Sequence, residues 1–348
     1  MASPRIAFVY PNSRAALVEA VSRGEAPDST LLGQNHLHEL GLDARVHEPR
    51  LTRRTTSRLR WNLRELMLPW ELGDTDVAIT PLASHFPLAA RVRGRPRVVV
   101  VNYGLNLILR RASPPRRRLV VASLRSAARV VCLGESQRLE LIELAGLEPE
   151  HVVTVVLGID ASFFTPEASP TPAGPPFVLA VGKDLARDYA TLAEALRELG
   201  VHVEPAVYPR NLEGIDLPAN VHAGVVDPPE LRALYRRASC VVLPQRRDGF
   251  RYGSEGGGLT ALLEAMAMAK PVVASERAIL ADYVADGETA LLVPPEDPQA
   301  LRDAIAAVLA DQSLADRLGA RARASVEQRF TTRRLAAGLA PIALRAAA

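Results

Sequence analysis

The sequence predicts an α/β protein built from two Rossmann-like domains, each with a parallel sheet covered by helices. Short segments rich in Val, Ile and Leu alternate with helical patterns along the chain, which is typical of buried parallel strands. The 348 residues are enough for two domains of about 150 residues each. Between the two halves, residues 165–176 contain five prolines and are expected to form a linker.

Ten strands are expected, five in each half, because each apolar run is short and bounded by turn residues. A stretch near the end of the chain has helical periodicity, so residues 330–348 are predicted to form a C-terminal helix that can pack back on the first domain. The predicted strands are 6–10, 77–80, 98–102, 129–133, 152–157, 177–181, 201–206, 240–243, 271–274 and 290–293.

Composition excludes several classes of function. A net charge of +3 and only 5% aromatic residues argue against a nucleic-acid partner. The sequence has no run of about 18 apolar residues and no secretion signal at its start, so a cytoplasmic location is expected. Cys132 and Cys240 fall inside apolar strands and are predicted to be buried thiols. Histidines are scattered, and no metal site is predicted.

A glycine-rich loop that runs into a helix is the most informative segment of the chain. Strand 240–243 precedes the loop and strand 271–274 follows the helix, and in such units ligands bind beyond the carboxyl ends of the strands. Glycines let the backbone approach a ligand, and the amides at a helix start favour phosphate. The candidate phosphate-binding residues are Gly256, Gly257, Gly258, Leu259 and Thr260.

Glu264 is the candidate ribose-binding residue. It lies four residues after Thr260, away from the apolar stripe of the same helix. Helical side chains lean toward the amino end, so its carboxylate is carried toward the glycine loop, where it can accept two hydrogen bonds from a ribose diol. The alternative is a solvated carboxylate on the helix surface.

Five ordered stretches resemble glycosyltransferase family 4, the retaining group within the GT-B fold, and they cover most of residues 150–330. The resemblance implies two Rossmann-like domains with parallel sheets facing across a cleft. Residues 1–165 would bind the acceptor, 166–176 would link the domains, and 177–329 would bind the donor. The stretches are 157–164, 179–195, 230–238, 263–273 and 286–293.

What the family implies is transfer of a sugar from a nucleoside diphosphate donor, such as a UDP-sugar, to an acceptor hydroxyl or amine with the anomeric configuration retained. The acceptor class includes glycans, lipids and small molecules, and neither a metal nor a further cofactor is expected. By position, Lys183 and Arg187 after Gly182 would hold the diphosphate and stabilise its developing charge. Alternatively, both cations are turn residues with solvated heads.

The sequence departs from the family pattern at three places. Strict spacing puts Gly256 where the family has its first glutamate, and Glu255, one residue earlier, is the candidate catalytic residue. The order of Lys183 and Arg187 is the reverse of the usual one. At the position of a family histidine the chain has residues 102–104. His85 is the nearest substitute, and the alternative is an ordinary core or surface histidine.

Two other functions share these features. An epimerase or phosphorylase of the same fold would make the same phosphate and ribose contacts. A non-catalytic nucleotide-sugar-binding partner is favoured by the displaced first glutamate. A dinucleotide oxidoreductase is disfavoured because no G-x-G-x-x-G follows the first strand.

Residues 53–70 form a basic amphipathic segment that contains both tryptophans of the chain. Such a helix can dock on an anionic membrane, an acidic carrier protein or a charged acceptor. The alternative is an ordinary helix packed on the first domain with its arginines in water. The predicted apolar face is Leu59, Leu63, Leu66, Met67 and Trp70, and the surrounding charges are Arg53, Arg54, Arg58, Arg60 and Arg64.

Overall fold

The computed structural model describes residues 3–48, 58–81, 83–166, 177–182, 184–197, 199, 202–206, 209–216, 224 and 226–348. The chain divides into two compact units. The first comprises Met1–Arg23, Asp28–Gly158 and Thr332–Ala348, and the second comprises Gly24–Pro27 and Ile159–Thr331. Residues 159–165, which the sequence pattern assigned to the first domain, therefore belong to the second unit. Apart from Pro166, the predicted linker 166–176 lies outside the described residues.

The first unit is built on a six-stranded parallel sheet with strand order β2-β1-β3-β4-β5-β6. Helices α2, α3, α5 and α6 contribute apolar side chains to a core that also includes residues of β1, β3, β4, β5 and β6. The elements are β1 (Ile6–Val9), α1 (Ala15–Ser22), β2 (Ala44–His47), α2 (Arg58–Glu71), β3 (Val77–Thr80), α3 (Phe86–Arg93), β4 (Arg97–Val101), α4 (Leu105–Arg111), α5 (Pro114–Ser126), β5 (Arg129–Cys132), α6 (Glu135–Ala145) and β6 (Val152–Thr154).

The second unit is built on a five-stranded parallel sheet with strand order β11-β10-β9-β7-β8. After β8 the chain crosses over β7 to form β9 on its other side, so the strand order reverses between β7 and β9. The elements are β7 (Phe177–Val181), α7 (Tyr189–Leu196), β8 (His202–Ala206), α8 (Pro228–Arg237), β9 (Cys240–Leu243), α9 (Leu259–Ala267), β10 (Val272–Ser275), β11 (Leu291–Val293), α10 (Pro298–Ala310) and α11 (Gln312–Arg329).

The last helix, α12 (Thr332–Ala347), belongs to the first unit and lies against β3, β4 and the short helix Gln34–Leu40. Gly33 permits this packing, since its φ is +73° and a Cβ there would lie 2.7 Å from the Thr332 carbonyl oxygen. The Thr332 hydroxyl donates a hydrogen bond to the buried carboxylate of Asp28 at 3.2 Å.

The two parallel sheets confirm the predicted α/β class, and every predicted strand is present to within a few residues at its ends. Strand β2 was not predicted. Cys132 and Cys240 are free and buried, as expected, and burial raises the pKa of the Cys240 thiol to about 12.

Candidate active site

The candidate site lies where the strand order of the second sheet reverses. The turn that follows β7 and the loop that follows β9 meet there, because the carboxyl ends of parallel strands share one edge of a sheet. The two segments are paired through an isolated bridge between Arg187 and Gln245. The backbone amide of Arg246 also donates to the Ala186 carbonyl at 2.8 Å. The fold thus brings together segments about 60 residues apart in sequence.

Gly182 makes room for a buried arginine. Its φ is +141°, in the region that favours glycine, and a Cβ at this position would clash with Nε of Arg187. Its carbonyl accepts a hydrogen bond from the Tyr189 hydroxyl at 2.7 Å. The turn is closed by Asp184, whose carbonyl accepts from the Arg187 amide at 3.1 Å and whose carboxylate accepts from the Ala186 amide at 2.8 Å. Arg187 is held against the backbone at the edge of β7.

Arg187 is only 6% exposed, and its Nε and Nη1 are buried without a hydrogen-bond acceptor among the described residues. Burial lowers the pKa of its guanidinium, while the neighbouring Tyr189 and Asp184 act in the opposite direction. Arginine nevertheless stays charged near neutral pH. Buried N–H donors without acceptors are costly, so the arrangement favours an anionic ligand. The alternative prediction of a solvated arginine head is wrong for Arg187.

Lys183, the second predicted diphosphate-binding cation, lies outside the described residues. Its proposed contact with the diphosphate stays a prediction.

The glycine loop fits closely against the turn after β7. A Cβ at Gly257 would lie 2.8 Å from Oδ2 of Asp184. Gly258 has a φ of +95° immediately before α9, and a Cβ there would lie 2.5 Å from Nε2 of Gln245 and 3.2 Å from Nη2 of Arg187. A side chain at either position would displace these neighbouring groups, and at Gly258 the positive φ also favours glycine. Gly258 places the first turn of α9, with Leu259 and Thr260, beside Arg187.

Arg277, which follows β10, holds the glycine loop in place. Its side chain is buried. Nη1 donates to the Gly257 carbonyl at 2.8 Å, and Nη2 donates to the carbonyls of Glu255 at 2.7 Å and Ser254 at 3.2 Å. In a trans peptide the N–H points opposite to the preceding carbonyl. The amides of Gly256 and Gly258 therefore point away from Arg277.

Arg277 is itself fixed by side chains of the loop after β9. Nη1 also donates to Oε1 of Gln245 at 2.9 Å, and Nε donates to Oδ1 of Asp248 at 3.1 Å. Gln245 in turn donates through Nε2 to the Gly257 carbonyl at 2.8 Å. The sequence analysis did not identify Arg277 as a site residue. A small pocket beside it is lined by Arg187, Gln245, Gly257, Gly258, Leu262 and Ser275.

Glu264 is buried, with 8% of its surface exposed, so the alternative of a solvated helix carboxylate is wrong. Its Oε2 accepts a hydrogen bond from the hydroxyl of Tyr235 at 3.0 Å. Burial, and then the Glu264 carboxylate, raise the pKa of Tyr235, while Arg187 lowers it. Tyr235 therefore lies within electrostatic range of both Glu264 and Arg187. On the same helix Thr260 is exposed, and a ribose contact by Glu264 stays a prediction.

Glu255 is half-buried in the glycine loop, and its backbone carbonyl is held by Arg277. Its catalytic contact with the reacting sugar stays a prediction. Gly256, at the family's first glutamate position, accepts a hydrogen bond from the Leu259 amide at 3.3 Å and so closes the turn into α9.

In the first unit, Asn102, at the expected histidine position, and His85, its nearest substitute, both make hydrogen bonds within the fold. The Asn102 side-chain oxygen accepts hydrogen bonds from the amides of Gly104 and Leu105 and so begins α4. His85 precedes α3, and its amide donates to Oε2 of Glu65 at 2.8 Å.

Neither a metal-ion cluster nor a membrane-spanning helix is found among the described residues. The described part of the chain contains no group of three or more His, Cys, Asp or Glu side chains placed to hold a metal ion. Within the same ranges, no helix has the length and apolar character needed to cross a membrane.

Comparison with known proteins agrees with this geometry. Residues 214–325, within the second unit, match the family described as glycosyl transferases group 1. A lipopolysaccharide core biosynthesis mannosyltransferase, LpcC of Rhizobium leguminosarum bv. viciae, is 37% identical over 33% of this chain and 30% of its own length. A D-inositol 3-phosphate glycosyltransferase of Xylanimonas cellulosilytica is 31% identical over 53% of this chain and 49% of its own. The chain thus spans about half the length of these relatives, or less.

Solved structures match almost the whole chain. The sucrose-phosphate synthase of Thermosynechococcus elongatus has a TM-score of 0.76 at 19% identity over 98% of both chains. Anabaena HepE, in complex with UDP and glucose, has a TM-score of 0.70 at 15% identity over 97% of this chain and 98% of its own. At such identities the likeness establishes the fold. The chain therefore has the GT-B fold, and residues 214–325 of its second unit are similar to the glycosyl transferases group 1 family.

Proposed function

We propose that the protein is a retaining, metal-independent glycosyltransferase similar to family 4, which moves a sugar from a nucleoside diphosphate sugar to an acceptor hydroxyl or amine. The observation that carries the proposal is Arg187, a buried guanidinium whose Nε and Nη1 have no acceptor among the described residues. It lies beside Gly258 at the start of α9, where a helix terminus also favours an anion.

The proposed chemistry places the leaving diphosphate against these groups. The bond between the anomeric carbon and the diphosphate oxygen breaks, a bond to the acceptor oxygen or nitrogen forms on the same face, and the acceptor proton passes to the departing diphosphate oxygen. The departing diphosphate gains negative charge, which Arg187 and the amides at the start of α9 stabilise more strongly than they stabilise the bound donor. Lys183 is assigned a second contact to the diphosphate. Glu264 is assigned the ribose, and Glu255 the reacting sugar.

The donor class rests on these contacts and on the relatives. HepE has been solved with UDP and with UDP-glucose, which supports a nucleoside diphosphate sugar. Relatives named as a mannosyltransferase and a D-inositol 3-phosphate glycosyltransferase support sugar transfer as the reaction. The acceptors in those names differ from each other, so the proposal is limited to a hydroxyl or amine of a glycan, lipid or small molecule.

A turnover screen tests the proposal. The protein is incubated with a panel of nucleotide sugars and acceptors, with and without a chelator, and nucleoside diphosphate release and glycosylated product are measured by mass spectrometry. Acceptor-dependent release that resists the chelator is expected, and NMR of the new linkage should show the donor's anomeric configuration. Chelator inhibition reversed by manganese would contradict the metal-free mechanism, and an inverted linkage would contradict retention.

The other functions predict different outcomes in the same screen. Sugar isomerisation, or phosphorolysis that requires inorganic phosphate, would indicate an epimerase or a phosphorylase. Donor binding without turnover of any donor would indicate a non-catalytic partner. Arg187→Met should abolish acceptor-dependent release, whereas Arg251→Met is the matched control. Arg251 is an exposed arginine in the loop after β9, stacked on Tyr252 at 4.5 Å, and its loss should leave donor binding unchanged.

A further inference from the structure

Helix α2 lies in the segment for which an anionic partner was predicted, and it differs from that prediction. Arg64 was expected to add positive charge around an apolar face, but it is 3% exposed and lies on the buried side of α2 with Glu65. The alternative of an apolar face packed on the first domain is also wrong for four of its members, which are 39% to 53% exposed. They are Leu63, Leu66, Met67 and Trp70. Arg53 and Arg54 lie outside the described residues, as do the side chains of Arg58, Leu59 and Arg60, so docking of α2 on an anionic partner stays a prediction.

A different part of the first unit has the geometry of a ligand site. The strand order of its sheet reverses between β1 and β3, and in open α/β sheets ligands bind beyond the carboxyl ends of the strands at such a point. Residues 10–14 connect β1 to α1, and Tyr103 follows β4, the neighbour of β3. The two segments therefore leave the same edge of the sheet two strand spacings, or ~10 Å, apart.

Arg14 is half-buried at this edge and is held over the ring of Tyr10. Its guanidinium carbon lies 4.7 Å from the centre of that ring. The Tyr10 hydroxyl donates to the Leu31 carbonyl at 2.8 Å, which fixes the ring in place. In the described part of the chain, Nε of Arg14 is buried without a hydrogen-bond acceptor, and no carboxylate forms an ion pair with the guanidinium. A charged donor that has lost water without gaining an acceptor is costly, so this position favours an anion.

The carboxylates near Arg14 are bound to other groups. Glu48, just beyond β2, accepts hydrogen bonds from the Ser13 hydroxyl and from the backbone amide of Arg14 at 3.0 Å, so it faces the backbone rather than the guanidinium. It is also exposed, so water and salt screen its charge. Glu65 is buried and accepts from the His85 amide at 2.8 Å. The guanidinium of Arg14 is thus left to a ligand.

Tyr103 supplies a second donor close to this guanidinium. Within the described ranges its hydroxyl has no hydrogen-bond partner, and its side chain is 44% exposed. Burial nevertheless raises the pKa of Tyr103, and the Arg14 guanidinium lowers it, so the hydroxyl and the guanidinium lie within electrostatic range of each other. Arginine and a phenol hydroxyl both donate hydrogen bonds, and together they suit an oxyanion.

We propose that Arg14 and Tyr103 form an anion subsite that holds a phosphate or carboxylate group of the acceptor. A guanidinium matches either group with two parallel hydrogen bonds, and the Tyr103 hydroxyl supplies a further one. An uncharged acceptor would leave Arg14 without a partner, so the subsite selects for charged acceptors. The role in acceptor binding rests on the proposed glycosyl transfer, whereas binding of the anion does not.

Calorimetric titration of glucose, glucose 6-phosphate and glucuronate tests the anion subsite, because the three sugars differ only at C6. The titration uses the full chain with Arg187→Met, which removes the donor-site cation as a second place for an anion. Glucose 6-phosphate, glucuronate or both should bind at least about 30-fold more tightly than glucose, because charge-assisted hydrogen bonds are gained. The charged sugar that binds more tightly distinguishes a phosphate ester from a carboxylate.

Adding Arg14→Met should remove the preference for charged sugars, and adding Tyr103→Phe should reduce it about tenfold. The matched control is Arg116→Met, because Arg116 also lies at a helix start but is exposed. Its neighbour Arg117 donates to the Leu144 carbonyl at 2.6 Å, which places the start of α5 beside the end of α6, away from the carboxyl edge where α6 begins. The control should keep the preference. Thermal unfolding of each variant verifies folding.

Turnover tests the role in acceptor binding. With a donor that the protein turns over, Arg14→Met should raise KM for the charged acceptor about 30-fold or more. The Kd of UDP and kcat should stay unchanged, because the subsite binds the acceptor away from its reacting atom.

The proposal is overturned if neither charged sugar binds more tightly than glucose, or if Arg14→Met keeps the preference as the Arg116→Met control does. Weaker UDP binding by Arg14→Met, with an unchanged KM for the acceptor, would assign the arginine to the donor instead. If the charged sugars bind through Arg14 but no donor is turned over, the anion subsite is confirmed and the proposed glycosyl transfer is contradicted.

Discussion

Replacing Arg187 with methionine should weaken nucleotide binding without weakening the fold. Two buried N–H groups of Arg187 have no acceptor among the described residues, and each such group costs about 1–3 kcal/mol in the folded state. Methionine keeps most of the apolar stem and removes these donors. The free energy of unfolding should therefore stay unchanged or rise by up to ~2 kcal/mol. Loss of charge-assisted hydrogen bonds to a diphosphate should cost about 2–3 kcal/mol, or roughly 30–150-fold in Kd.

Arg277→Met is the matched control, because both arginines are buried at the same edge of the sheet. Arg277 donates five hydrogen bonds, three of them to loop carbonyls that would lose this donor. The variant should lose about 2–4 kcal/mol of unfolding free energy. The two substitutions should thus differ in their effect on stability.

Urea unfolding and calorimetric titration with UDP and GDP measure both quantities for each variant. If Arg187→Met destabilises the protein as much as Arg277→Met does, Arg187 is a structural residue rather than a ligand-binding one. Unchanged nucleotide affinity in Arg187→Met would remove this residue from the donor site.

Three further predictions follow from particular contacts. Glu264→Gln should lower UDP affinity about tenfold and abolish discrimination against 2′-deoxy-UDP, since the carboxylate is assigned the ribose. Tyr235→Phe should lower UDP affinity less. Retained discrimination in Glu264→Gln would contradict the ribose assignment. Glu255→Gln should lower kcat at least about tenfold with little change in donor affinity, and wild-type turnover would make this glutamate a loop residue. The dependence of thermal unfolding on pH tests the pair formed by the partly buried His36 and the buried Asp28, whose Nε2 and Oδ2 lie 2.8 Å apart. The hydrogen bond to Asp28 raises the pKa of His36. Protonated His36 therefore stabilises the fold below about pH 6.5, and this stabilisation is lost as pH rises through the folded pKa. Burial of Asp28 opposes its ionisation, but hydrogen bonds, led by that of His36, lower the pKa of the Asp28 carboxyl. Ionised Asp28 therefore stabilises the fold above about pH 4, and this stabilisation is lost on acidification. His36→Gln should remove the loss of stability as pH rises through the His36 pKa. An unchanged dependence of the unfolding temperature on pH would contradict this role of His36.

Most strands were predictable because they are buried on both faces and appear as continuous apolar runs. Strand β7, for example, is FVLAV and is fully buried. Strand β2 was missed because it lies at the edge of its sheet, where only one neighbour pairs with it, and its sequence ARVH mixes charge with apolar residues. An edge strand does not need the continuous apolar pattern of a central one.

The site residues that could be predicted are those whose neighbours in the sequence form a recognisable pattern. Gly182 and Arg187 follow a strand end, and Gly258 and Glu264 belong to a loop–helix segment. Arg277 had no such signal, because most of its partners are backbone carbonyls about 20 residues earlier, and carbonyls are common to all residue types.

Two further residues show why burial is harder to predict than secondary structure. Tyr235 fits an ordinary core position on an amphipathic helix, and only the fold brings its hydroxyl to Glu264. Arg64 fits a solvated arginine on a basic helix, yet it is buried, because the apolar stripe of α2 faces outward and the opposite side packs on the sheet. Amphipathic periodicity identifies two sides of a helix without establishing which one is covered.

A crystal structure of the protein with UDP or GDP bound is the decisive test of the role proposed for Arg187. Diphosphate oxygens are expected within hydrogen-bond distance of Nε or Nη1 of Arg187 and of the amides at the start of α9, with the ribose at Glu264. A nucleotide bound elsewhere, with the Arg187 guanidinium still lacking an acceptor, would contradict this role.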